Sequence, residues 1–198
     1  MSNSRLLVFI GPSGVGKSSV VRALQAKQLL RLVPSWTTRR QRTDEQDDKA
    51  DHIFVSQEEF DNKVKNGFFL GVATLFDLPY RYGLPRFTDD DIQSKGRVTA
   101  VILRAPLLPL FSEQYNDFVT YQIEDSYKNV SERLNQRQQR GELQGKRLKE
   151  YTREVTAGRH LANRVFINNT SIDALTAKVA TAIKADFEIA HPPHSNSG

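Results

Sequence analysis

The 198-residue sequence predicts a three-layer α/β fold built on a mostly parallel central sheet. Mostly apolar runs at 5–10, 98–103 and 118–123 have the length of strands buried on both faces. Segments with helical period at 18–27, 125–141, 146–162 and 171–185 lie between or after them. Strands alternating with helices fold into a parallel sheet with right-handed crossovers.

The first run, Arg5 to Ile10, ends at Gly11, and Val20, Val21 and Leu24, with Ala23 and Ala26, then recur at helical spacing. Residues 34–49 are polar. A short strand at His52–Val55 leads to Ser56 and Glu59, whose spacing is that of a capping box. Phe60, Val64 and Phe68 define an apolar face on the helix they open, and Gly67 or Gly71 closes it. Pro79, Gly83 and Pro85 among tyrosines make 70–85 a region of short strands and turns. A short helix over 105–114 separates the strands at 98–103 and 118–123. Asp125 or Ser126 caps the charged segment that follows. Arg164–Asn168 is a fourth strand, and Ile172, Leu175, Val179 and Ile183 mark one face of a closing helix. There is no internal repeat. The small, polar tail 191–198 reads as disordered, and its two histidines are too few for a metal site.

The length suits one domain. With 38% hydrophobic and 26% charged residues the chain is too apolar for a disordered protein. It has no cysteine, which excludes disulfides, thiolate metal sites and cysteine nucleophiles. The apolar run before the first glycines is too short for an export signal or a membrane span, so a cytoplasmic protein is expected. The net charge of +5 comes with arginines at 39, 40 and 42 and at 133, 137, 140 and 147. Small phosphate-bearing substrates account for these clusters better than nucleic acid does.

The chemistry is concentrated in Gly11-Pro12-Ser13-Gly14-Val15-Gly16-Lys17-Ser18, a full match to G-x-x-x-x-G-K-[ST] between a strand and a helix. Its glycines let backbone N–H groups turn towards the phosphates of ATP, and the helix N-terminus adds to that field. Lys17 is expected at the outer phosphates, Ser18 on Mg2+, and Ser19 at the helix start beside them. Arg39 and Arg42, three apart, can present two guanidiniums to one phosphate monoester, with Tyr82 adding a hydroxyl. Arg137 and Arg147 are expected to neutralise charge on the transferring group, whereas Arg133 and Arg140 are assigned to a solvated face.

Pro34-Ser35-Trp-Thr-Thr-Arg39-Arg40-Gln-Arg42, Phe54-Val-Ser-Gln-Glu-Glu-Phe60 and Tyr82-Gly83 resemble the acceptor-site motifs of the guanylate kinase family. Arg133-Leu-Asn-Gln-Arg137 and Arg147-Leu148 are similar to its lid, and Arg164-Val-Phe-Ile-Asn168-Asn to its strand near adenine. The resemblance covers nearly the whole chain. It implies a core of 1–33, 96–125 and 163–187, an inserted acceptor-binding lobe at 34–95 and a helical lid at 126–162. It further implies ATP and Mg2+ as donor and cofactor, Asn168 in the ATP site, and Ser35, Arg39, Arg42, His52, Gly71 and Tyr82 at the acceptor, GMP in this family.

The chain also departs from that family. Gly71 stands where the family has a guanine-reading glutamate, His52 where it has a tyrosine, and Leu103-Arg104-Ala105 where it has an acidic strand end. The pair His52-Ile53 is similar to ribose 1,5-bisphosphate phosphokinases, which implies a sugar phosphate as the alternative acceptor. A non-catalytic interaction module of the same family is a third reading, against which Lys17, Ser18 and the lid arginines stand intact.

Overall fold

The computed structural model describes residues 5–41, 51–75, 78–88, 91–92, 97–136 and 142–188. Five strands form the central sheet: β1 (Leu6–Ile10), β2 (Leu30–Leu32), β7 (Val98–Ile102), β8 (Val119–Glu124) and β9 (Arg164–Ile167). Their order is β2-β7-β1-β8-β9, and every pairing is parallel. β1 lies at the centre, with Leu7 opposite Ala100 on one side and Val119 on the other.

All five β1 residues are fully buried because both faces of the sheet are covered. Leu7 and Phe9 point to a core completed by α1 (Lys17–Ala26) and α6 (Ile172–Asp186). Leu6, Val8 and Ile10 point to the opposite core, with Phe87, Leu108 and Phe111. The period of two thus sorts one apolar run into two cores and three layers. Each such side chain contributes about 1.5–3 kcal/mol on burial.

A smaller mixed sheet is made by β3 (Ser35–Thr37), β4 (His52–Phe54), β5 (Phe69–Thr74) and β6 (Arg81–Pro85), in the order β4-β3-β6-β5. β3 runs parallel to β4 and antiparallel to β6, which is antiparallel to β5. Its outer face holds Trp36 and Phe69 against α2 (Gln57–Lys65), where the rings of Phe60 and Phe69 stack at 4.6 Å. Gly83 leaves room for that packing, since a Cβ there would meet the Phe69 ring at 2.6 Å.

α2 starts as its sequence requires: Ser56 Oγ accepts from Glu59 N at 3.1 Å. It ends at Gly67, with φ of 65°, where Phe68 N donates to Lys63 O and Gly67 N to Val64 O, a Schellman turn. Gly71 lies within β5 instead. Of the expected apolar face only Phe60 is buried; Val64 is exposed and Phe68 lies beyond the helix.

Two further strands differ from expectation. β2 was hidden by its length of three residues, and β3 lies in the polar stretch, where Trp36 is its one large apolar residue. The helix expected over 105–114 is a 3-10 turn at Ala105–Leu107 followed by α3 (Leu108–Ser112), with a proline at the start of each. Ser126 caps α4 (Tyr127–Gln136), its Oγ accepting from Asn129 N. α5 (Glu142–Leu161) begins four residues before the expected 146. In α6, Leu175, Val179 and Ile183 are buried but Ile172 is exposed. No helix among the described residues is long and apolar enough to cross a membrane. Residues 191–198 and the end of the 125–141 segment lie outside the described residues.

Candidate active site

The loop from Gly11 to Gly16 joins β1 to α1 at the C-terminal end of the sheet's central strand. Gly11, Gly14 and Gly16 have φ of 135°, 86° and 101°. At Gly11 the requirement is also steric, because a Cβ would sit 2.3 Å from the Ile123 carbonyl oxygen of β8. Val15 is buried in the core and anchors the loop from behind.

Two side chains from distant segments brace this loop. Asn168, just after β9, donates from Nδ2 to Val15 O at 2.9 Å, and a Cβ on Gly16 would lie 2.7 Å from that nitrogen. Arg133 of α4 donates to Gly14 O at 2.9 Å and pairs with the buried Asp125 at 2.5 Å. Arg133 therefore corrects the expectation of a solvated face: its side chain supports the loop. Asn168, expected in the ATP site, is buried with its carboxamide turned to the loop's backbone.

Lys17 donates from Nζ to Gly11 O at 2.6 Å and Pro12 O at 2.7 Å, so its ammonium is held along the loop. Lys17, Ser18 and Ser19, with Ser13, Gly14 and Gly16, form one wall of a cavity of about 240 Å3. Arg147, from α5, lines the same cavity.

The opposite wall is one face of the small sheet. The pairings Ser35 with His52, Thr37 with Tyr82, Tyr82 with Ala73 and Leu84 with Gly71 put those residues on a common side. Ser35 Oγ and His52 Nδ1 hydrogen bond at 2.7 Å. The His52 ring lies 5.9 Å from that of Tyr82. Arg39 is buried at 8% exposure, its guanidinium 5.2 Å from the centre of the Phe54 ring, and lines the cavity beside them.

The structure thus gathers Ser13, Gly14, Gly16, Lys17, Ser18, Ser19, Ser35, Arg39, His52, Gly71, Tyr82 and Arg147 around one cleft. Gly11, Pro12, Val15 and Asn168 build the loop behind it. Arg42, Arg137 and Arg140 lie outside the described residues.

Three features of the cleft were not foreseen. Asp51, buried just before β4, is the one carboxylate among its described lining residues. Its place next to the strand signal His52-Ile53-Phe54 was legible in sequence, but its burial was not. Arg104, noted only as a departure, lines the cleft and ion-pairs with Glu150 at 2.5 Å and with Glu154, both on α5. Burial raises the Glu154 pKa, and the charges of Arg104 and Lys17 oppose that shift. Leu107, Leu110 and Phe111 form an apolar end to the cleft, which helical spacing in a segment of one short turn does not reveal.

The guanylate kinase family model matches residues 3–186. The guanylate kinase of Symbiobacterium thermophilum is 34% identical over 116 residues, covering 58% of this chain and 54% of that protein. That of Clostridioides difficile is 36% identical over 93 residues, covering 46% and 44%. The chain spans about half the length of the curated relatives it matches. The crystal structure of guanylate kinase from Anaplasma phagocytophilum shares the fold, with a TM-score of 0.68 at 24% identity over 93% of this chain and 87% of that one. With its glycine loop, small mixed sheet and arginine-bearing helix in the places described, the chain belongs to the guanylate kinase family.

Proposed function

We propose that this chain transfers the terminal phosphoryl group of ATP to a small acceptor that already carries a phosphate monoester. The observation that carries the reading is the single cleft that joins Lys17 and Ser18 of the glycine loop to Arg39 and Tyr82 of the small sheet. Donor and acceptor bound on those two walls face each other, and direct transfer needs no protein nucleophile. Family membership suggests GMP as the acceptor, while Gly71, His52 and Arg104 depart from that family's acceptor residues.

The residues present fit ATP with Mg2+. Three glycines at positive φ open the loop backbone towards the cleft, Lys17 brings an ammonium along it, and Ser18 offers a hydroxyl at the start of α1. No group of three His, Asp or Glu that could hold a metal by itself occurs among the described residues. Ser18, with the phosphates of ATP, would hold Mg2+, which supplies neutralisation of phosphate charge when bound. Arg39 and Tyr82 hold the acceptor phosphate. Arg147, on a helix fixed to the core through Arg104, brings a second cation to the transferring group.

A coupled assay of ADP release over a panel of nucleoside and sugar phosphates tests this reading. Turnover is expected with at least one phosphate monoester, and Lys17→Ala is expected to lower it by about 10^3-fold or more while the fold is kept. Unchanged turnover in Lys17→Ala would remove the loop from the chemistry. Absence of turnover with MgATP bound would favour a non-catalytic interaction module.

A further inference from the structure

We infer that Asp125 is a positioning residue for the phosphates of ATP: through Arg133 it fixes a peptide of the glycine loop whose N–H meets them. The inference rests on the phosphotransferase reading and deepens its donor side. At the end of β8 stand two adjacent buried carboxylates, Glu124 and, just after the strand, Asp125. Glu124 accepts from Arg159 of α5 at 2.7 Å and 2.6 Å. Asp125 pairs instead with Arg133 of α4 at 2.5 Å. Both helices are thereby tied to one strand end, directly behind the loop.

Asp125 is itself held. One carboxylate oxygen accepts from Ser126 N at 2.6 Å and from Asn129 Nδ2 at 2.7 Å, and its backbone carbonyl accepts from the Tyr151 hydroxyl of α5. The other oxygen takes one terminal nitrogen of Arg133, whose second terminal nitrogen donates to Gly14 O at 2.9 Å. The Arg133 side chain is 35% exposed and that of Asp125 1%, so the carboxylate is the fixed end of the pair. Val130 and Leu134 seat the same helix on the loop, since a Cβ on Gly14 would lie 3.3 Å from Val130 Cγ1 and 3.4 Å from Leu134 Cγ.

A carbonyl fixed from one side fixes an amide on the other. In a planar trans peptide C=O and N–H point in opposite directions, and none of the described peptides is cis. Arg133 on Gly14 O therefore turns Val15 N–H the other way, and Asn168 on Val15 O, at 2.9 Å, does the same for Gly16 N–H. Consecutive N–H groups oriented together are the cradle that phosphate oxygens need. An arginine held at one end only keeps much of its rotamer freedom, and that freedom would have to be lost when ATP binds. Asp125 removes it beforehand.

The test is calorimetry on the full chain with Mg2+ and a non-hydrolysable ATP analogue, at a temperature where circular dichroism shows each variant folded. Asp125→Asn keeps the size of the side chain and removes its charge, and is expected to weaken binding about tenfold. Arg133→Gln is expected to weaken it by a similar factor and the double variant no further, because both act through one contact. Ser56→Ala, destabilised far from the loop, is expected to bind as the wild type does, which separates positioning from loss of stability. Wild-type affinity in Asp125→Asn, tighter binding there, or additive losses in the double variant overturns the inference while the phosphotransferase reading stands. Should Asp125→Asn fail to fold, Asn129→Ala loosens the same carboxylate: a loss of about threefold supports the inference, and unchanged affinity overturns it. Failure of the wild type to bind the analogue overturns the phosphotransferase reading, and this inference falls with it.

Discussion

At Gly11 a single hydrogen atom in place of a side chain decides whether the loop can exist. A Cβ there meets the Ile123 carbonyl oxygen at 2.3 Å, and φ of 135° is closed to other residues. Gly11→Ala is expected to cost at least about 3 kcal/mol and to lower MgATP affinity, read by denaturant unfolding and calorimetry. The glycine pattern itself was legible in the sequence, but the carbonyl that enforces it comes from a strand more than a hundred residues away. Asp186 is a second decisive residue. Its side chain accepts from Arg164 Nε at 2.7 Å and Tyr121 Oη at 2.6 Å, and the Arg164 bond leads in holding its pKa below the ordinary 3.8. A depressed carboxylate stabilises the fold above its unfolded pKa and loses that contribution as pH falls through the folded value. Asp186→Asn is therefore expected to cost on the order of 1 kcal/mol at pH 7, with the deficit vanishing below pH 3.8 in unfolding curves.

Among the elements, α5 depends most on contacts that sequence does not reveal. Helical composition announced it, but its start at Glu142 and its attachment to the core through Arg104 did not follow from periodicity, because the partners are charged and 46 and 50 positions apart. Arg104→Gln leaves the buried Glu154 without its main counter-charge, at a cost of about 3 kcal/mol near neutral pH. Glu154 has a raised pKa, chiefly from burial, so the sign is opposite to that of Asp186. Its protonated form is favoured in the fold, and stability is lost as pH rises above 4.5 through the folded value. The variant's deficit is expected to be larger at pH 8 than at pH 5, as thermal melts across that range would show. α2 is the contrasting case, since Ser56 marked its start in advance and its end was narrowed to Gly67 or Gly71, of which Gly67 closes it. Ser56→Ala is expected to cost about 1 kcal/mol in unfolding free energy.

Over the whole molecule, the parallel sheet and its glycine loop were legible because buried apolar runs and a contiguous motif are local signals. The cleft was legible only in part. Lys17, Ser18, Arg39, Tyr82 and Arg147 line one cleft, and Asp51 and Leu110 line it with them through the pairing of short strands and the docking of α3. Arg133 was misread because a basic residue on a charged helix looks the same whether it faces water or the Gly14 carbonyl. A phosphoryl donor held against a phosphate-bearing acceptor in one cleft, as proposed above, must leave the transferred group on the acceptor. Phosphorus NMR of the protein with MgATP and its best-turned-over monoester follows the fate of the transferred group directly. ADP together with a new diphosphate resonance on the acceptor is expected, both lost in Lys17→Ala. ADP accompanied only by inorganic phosphate, or a diphosphate signal that persists in Lys17→Ala, would contradict it.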